Sequence, residues 1–170
     1  MTRPQNRPLV AAYLASIVAA NVAVVLWGRP AALVSSWLVI PLDLTVKDVL
    51  QERWTGQQLV LRLGALVLAG SLLTVLVLGR ADRVAVASAA AFLAAGAADG
   101  VVLHRLRRQG RLLRVNASNV AGAAVDSLVF QLVAFGDAPP LLVAAQASAK
   151  VVGGLLWSLL LVRLLRSPRC

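Results

Sequence analysis

Along the chain, long apolar runs alternate with short polar breaks, and the lengths of the runs are the first clue. A helix needs about 20 apolar residues to cross the hydrocarbon layer of a bilayer. Five runs approach or reach that length: residues 9–27, 57–78, 84–103, 116–135 and 141–165. Helix-ending residues sit between them: Gly28 and Pro30 after the first, Gly79 with Arg80, Asp82 and Arg83 after the second, and Gly136 with Pro139 and Pro140 before the last. The breaks are short, which predicts a compact all-α bundle of one domain spanning residues 1–170. A sixth segment, residues 31–42 ("AALVSSWLVIPL"), is too short for an ordinary span, and Pro41 is expected to close it because proline disfavours helix at the preceding Ile40. It reads as a short or broken membrane helix, or as a re-entrant piece beside the others.

Composition supports this pattern. A chain of 170 residues with 59% hydrophobic residues, 14% charged ones and a mean hydropathy of +0.81 cannot dress a soluble globule in a wettable surface. The net charge of +10 would suggest nucleic acid in a soluble protein, but here the arginines gather in the breaks between apolar runs, as membrane topology requires, so no nucleic-acid partner is expected. Cys170 alone makes no internal disulfide, and His104 without cysteines makes no zinc site; no metal or cofactor is expected. The run 9–27 is longer than a signal-peptide core and is followed by further apolar runs, so it reads as the first span.

The basic residues orient the bundle. If residues 31–42 cross, one side receives Arg3, Arg7, Lys47, Arg53, Arg62, the cluster from Arg105 to Arg114, and Arg163, Arg166 and Arg169, against Arg29, Arg80 and Arg83 on the other. The positive-inside rule then favours six spans, the second one short, with both termini cytoplasmic. A five-span alternative leaves Arg3 and Arg7 on the wrong side. The basic loop around Gly110 serves as a topology anchor, with anionic lipid headgroups as a second reading.

One polar stretch, "IPLDLTVKDVLQERWTG" at residues 40–56, is dense in charge for so apolar a chain. Helical spacing puts Val46, Leu50 and Trp54 on one stripe and Asp48 with Glu52 on another. Two carboxylates at i and i+4 repel, by about 0.2–0.5 kcal/mol on an exposed helix and by more where water is excluded. Lys47 and Arg53 could balance them in a solvated turn; a basic loop elsewhere, protonation or a ligand could do so instead.

Polar residues inside the apolar runs are costly in lipid and normally face the bundle interior. In the run 116–135, Asn119, Asp126 and Phe130 are spaced by seven and four, with Asn116 one turn before, giving an amide, a carboxylate and a ring on one face. In the last run, Gln146, Lys150 and Trp157 repeat the arrangement around Gly153 and Gly154. Two such columns side by side would enclose a small polar cavity, with Asp126 and Lys150 neutralising each other; a purely structural ion pair is the simpler alternative. Asp99 and Asn21 read as helix-to-helix hydrogen bonds. The chain carries no phosphate-binding glycine loop, metal cluster or nucleophile with a histidine base, which argues against an enzyme. Amides and a carboxylate beside aromatic rings suit a flat, neutral, hydrogen-bonding solute such as a nucleobase or vitamin, and a carboxylate that alternates between buried and wetted surroundings suits proton movement. In the first span, Ala11, Ala15, Ala19 and Ala23 form a ridge of small residues, which packing inside the bundle explains most simply and docking of a partner subunit explains otherwise.

In this order the features resemble the putative vitamin uptake transporter family, also called the queuosine precursor transporter family. The resemblance rests on "AANV" at residues 19–22, on the proline-containing stretch 40–56, on Ser118, Asn119, Asp126, Ser127, Phe130, Ala134, Phe135 and Gly136, and on Lys150 in the final span. The chain departs from the pattern with Ile40 before Pro41 and with Gln51. The resemblance implies a six-helix importer in the bacterial inner membrane, carrying 7-cyano-7-deazaguanine or a related 7-deazapurine. It assigns Asn119, Asp126, Gln146 and Lys150 to the solute site with Phe130 or Trp157 stacking, Asp48 and Glu52 to gating or coupling, and Trp54 to the membrane interface. An ATP-driven substrate-binding subunit of an energy-coupling-factor vitamin transporter, which would need its coupling partner, and a non-transporting structural membrane protein are the rival readings. A homo-oligomer is compatible with each.

Overall fold

A computed structural model describes residues 7–53, 59–78 and 83–165, all of them helix apart from the turns. Six helices follow in order: α1 (Arg7–Trp27), α2 (Arg29–Arg53), α3 (Leu59–Leu78), α4 (Arg83–Arg105), α5 (Arg111–Phe135) and α6 (Pro140–Leu165). The all-α bundle expected from the hydropathy pattern is what forms. The helix ends differ from the apolar runs in an instructive way. α5 begins at Arg111 rather than at residue 116, because a helix can continue beyond the hydrocarbon layer once its side chains reach water. α6 begins on Pro140, whose missing N–H costs nothing in a first turn.

The largest correction concerns Pro41. The helix does not close there: α2 runs on to Arg53 with Pro41 inside it, and Pro41 is fully buried. Proline has no N–H to offer the Trp37 carbonyl one turn earlier. At this turn α6 packs directly against α2. A Cβ at Gly153 would come within 2.5 Å of Pro41 Cγ and 3.1 Å of the Trp37 carbonyl oxygen, so only glycine lets α6 seat against this turn of α2. The apolar part of α2 is nonetheless short, Arg29–Leu42, as is that of α3, Gly64–Leu78, whereas α1, α4, α5 and α6 contain stretches long and apolar enough to cross a membrane.

Helix neighbours close into a ring in the order α1, α2, α6, α5, α4, α3 and back to α1, with α4 and α5 sharing the most extensive interface. A contact between α1 and α4 crosses this ring and divides it. One side is a tight group of α1, α3 and α4; the other is bounded by α1, α2, α6, α5 and α4. Gly136, in the left-handed conformation at φ 85°, ends α5 and donates its N–H to the Leu132 carbonyl at 2.9 Å, so that α6 returns antiparallel to α5. At this same end, Arg29 at the start of α2 forms a salt bridge with Asp137 and lies over the Phe135 ring at 5.0 Å.

Burial runs opposite to that of a soluble protein. Leu68, Leu72, Leu76, Leu93, Leu155 and Leu156 are exposed, while Ser36, Thr74, Ser127, Gln131, Gln146 and Lys150 are buried. Apolar exteriors around polar interiors are what lipid selects, and with the apolar helices they make this a multi-pass membrane protein. Ala11, Ala15 and Ala19 are exposed, so of the alanine ridge only Ala23 packs inside, against the cluster of Val24, Ala31, Ala32 and Val84.

Candidate functional site

The polar residues of α5 and α6 meet in the middle of their hairpin. Lys150, only 3% exposed, donates to Asp126 Oδ2 in an ion pair and to Ser127 Oγ at 3.0 Å. Ser127 lies eight residues before the end of α5 and Lys150 ten residues after the start of α6, as befits an antiparallel pair with a small offset. The Asp126 carboxylate lies at the rim, 26% exposed. An ammonium carries three N–H donors, and among the described residues the third on Lys150 has no acceptor.

One turn toward the Gly136 end on each helix stand Gln131 of α5, four residues before the helix end, and Gln146 of α6, six residues after its start. Both side chains are almost completely buried, at 0% and 1% exposure. Neither Nε2 nor Oε1 of Gln131 has a hydrogen-bond partner, nor does Oε1 of Gln146. An unmade bond on a buried polar atom costs about 1–3 kcal/mol, and more where no water can reach it. The hairpin therefore holds a lysine paired with an aspartate and, one turn away along each helix, two amides with three unbonded atoms between them. Such an arrangement can bind a solute that carries its own hydrogen-bonding groups into the bundle.

Of the residues singled out in the sequence, Asp126 and Lys150 meet across the hairpin with Gln146 one turn from Lys150 on α6, while Asn119, Phe130 and Trp157 stand apart from them. Asn119 is exposed on α5. Phe130 sits among Val24, Ala31, Ala32 and Val84, edge-on to Phe135 with centroids 6.3 Å apart at 75°, and contributes to an apolar plug rather than to a stack on the polar cluster. Trp157 is half-buried on α6, seven residues and about 10 Å of helix beyond Lys150. The side chains of Asp48 and Glu52, and all of Trp54, lie outside the described residues.

The difference on α5 is one of helical phase. Its buried stripe is Ser118, Gly122, Ala123, Ser127 and Gln131, one position round from the stripe of Asn119, Asp126 and Phe130. The sequence reading passed over Gln131, embedded in "LVFQLVAF". Its spacing of four from Ser127 was the available signal.

Two other polar contacts join helices elsewhere, as read from the sequence. Asn21 Nδ2 on α1 donates to Thr74 Oγ1 on α3 at 3.2 Å, and Thr74 in turn donates to the Gly70 carbonyl at 2.9 Å. Ser118 Oγ on α5 donates to Asp99 Oδ1 on α4 at 3.1 Å.

No curated protein and no solved structure matches the chain significantly. The family model described as putative vitamin uptake transporter matches residues 9–166, nearly the whole bundle including the α5–α6 hairpin, and the chain belongs to that family.

Proposed function

We propose that the protein imports a queuosine precursor, 7-cyano-7-deazaguanine or a related 7-deazapurine, across the bacterial inner membrane by a secondary, proton-coupled route, with its termini in the cytoplasm. The observation that carries the reading is the buried Lys150–Asp126 pair beside unpartnered amides, in a chain whose family transports vitamin-like solutes. A neutralised pair suits an uncharged solute, since a net charge at this depth would repel an ionised one or demand a counterion. Asp126, at the rim, is the group through which proton movement would be coupled, and Lys150 would answer with its third N–H to a carbonyl on the solute. Asp48 and Glu52 retain the gating or coupling role that the resemblance gives them; Asn119, Phe130 and Trp157 are weaker as solute ligands than Gln146, because they stand away from the cluster.

The test is uptake of radiolabelled 7-cyano-7-deazaguanine into cells that can neither make nor import it, with this chain expressed alone. Uptake that a protonophore abolishes supports the reading. Absence of uptake from inserted protein contradicts it. The exposed row of Ala11, Ala15 and Ala19 favours a second reading, a substrate-binding subunit that docks a coupling partner through α1. In that case uptake would require the partner and ATP.

A further inference from the structure

Positive charge is balanced at one end of the bundle and unbalanced at the other. At the Gly136 end, Arg29 is paired with Asp137, and Arg80 and Arg83 have Asp82 between them in the sequence. At the opposite end, the turn from α4 to α5 gathers five arginines and His104 within residues 104–114, and no acidic residue occurs between Asp99 and Asp126. Arg105, Arg107 and Arg108 are exposed and form no ion pair among the described residues. The turn is held in shape by its backbone. The Leu106 N–H donates to the Val102 carbonyl at 2.9 Å, the Gln109 N–H to the Leu106 carbonyl at 2.9 Å and the Arg114 N–H to the Gly110 carbonyl at 3.1 Å. We infer that this turn is a binding surface for the phosphate headgroups of anionic phospholipids in the leaflet it faces, a role independent of which solute is carried.

Depth favours lipid over a soluble polyanion. α5 begins at Arg111 and its apolar span at Asn116, five residues or about 7 Å later, while the apolar span of α4 ends at Arg105. The headgroup zone is about 5–8 Å deep on each side of the hydrocarbon, so the arginines of the turn lie among headgroups and short of open water. The neighbouring apolar residues agree. Leu103 and Leu113 are exposed on either side of the arginines, an arrangement suited to the boundary between acyl chains and phosphates, whereas a bound nucleic acid would leave them in water. The start of α5 also lacks an anion. Its first turn contains no acidic residue and Gly110 supplies no side-chain cap, yet Arg111 and Arg114 stand at this end. Cations are unfavourable at the positive end of a helix dipole, and a phosphate there would answer both the dipole and the uncapped N–H groups. Arg114 Nε, buried without a partner, is a further donor short of an acceptor.

The experiment is a thermal-shift titration of the purified full chain in neutral detergent with phosphatidylglycerol and, separately, with phosphatidylcholine. Each basic residue beside an anionic lipid surface favours it about five-fold, so phosphatidylglycerol should raise the melting temperature at concentrations about ten-fold or more below those phosphatidylcholine requires. High salt should shrink that margin. Arg107→Gln combined with Arg108→Gln should melt near the wild-type temperature without lipid and lose the preference, while the charge-matched Arg80→Gln with Arg83→Gln, at the opposite end, should keep it. Equal midpoints for the two lipids on the wild type would overturn the inference however well the variants fold. So would a preference retained by the Arg107 and Arg108 variant, or one lost equally in the control. Retention of the wild type on heparin without any lipid preference would overturn it too, and would assign the turn to a soluble polyanion.

Discussion

Two of the polar contacts between the apolar helices, Asn21–Thr74 and the α5–α6 cluster, differ in how far their hydrogen bonds are satisfied. On the α1–α3 side, Asn21 and Thr74 are buried and bonded, the amide donating to the hydroxyl and the hydroxyl to the Gly70 carbonyl. Among the described residues on that side, the neighbouring Ser71 hydroxyl is the buried polar atom without a partner. On the α5–α6 side, an ion pair stands one turn from two glutamines that leave three polar atoms unbonded. A satisfied contact locks two helices at a known register, which is a scaffold's task. An unsatisfied one of the same depth lowers stability and has a use only if something else completes it.

Breaking each side should therefore produce opposite separations of stability from transport. The largest effect is expected for Lys150→Met, which leaves the Asp126 carboxylate without its cation: uptake should vanish and the folded state should lose about 3–5 kcal/mol, seen as a fall in the amount of inserted protein. Adding Asp126→Asn should restore the amount and not the uptake. Gly153→Val comes next, because even a Cβ there would overlap Pro41; unfolding in detergent should become easier by about 1–3 kcal/mol. Asn21→Leu combined with Thr74→Val removes both partners of the scaffold contact, and should cost about 1 kcal/mol or less while leaving uptake per folded molecule unchanged. Asp137→Asn should have the smallest effect, at most about 1 kcal/mol and less in high salt, since the Arg29–Asp137 pair lies at the surface.

Hydropathy located the helices well because the requirement to bury or solvate a backbone acts over about 20 residues and tolerates local exceptions. It said less about features set by a single neighbour. Pro41 reads as a stop in isolation, yet α2 continues through it, and the glycine packed against the same turn comes from α6, more than 100 residues later. The ion pair between Asp126 and Lys150 was legible because lone charges in apolar runs have few possible partners. The rotation of α5 was not, because its apolar residues surround it on every side and lipid hides the usual contrast between faces. That ambiguity of one residue, about 100° of rotation, put Asn119 and Phe130 on the stripe expected to face inward and passed over the buried Gln131. The alanine ridge was misplaced for a related reason: small residues suit close packing, yet lipid accepts them equally well.

The most direct measurement is solute uptake, at matched levels of inserted protein, by the wild type, by Asp126→Asn with Lys150→Met, and by Asn21→Leu with Thr74→Val. If the α5–α6 cluster is the site and the α1–α3 contact is scaffold, the second protein transports nothing and the third transports at the wild-type rate. Wild-type uptake by the doubly neutralised protein would contradict the account, and would reduce the buried ion pair to a structural tie.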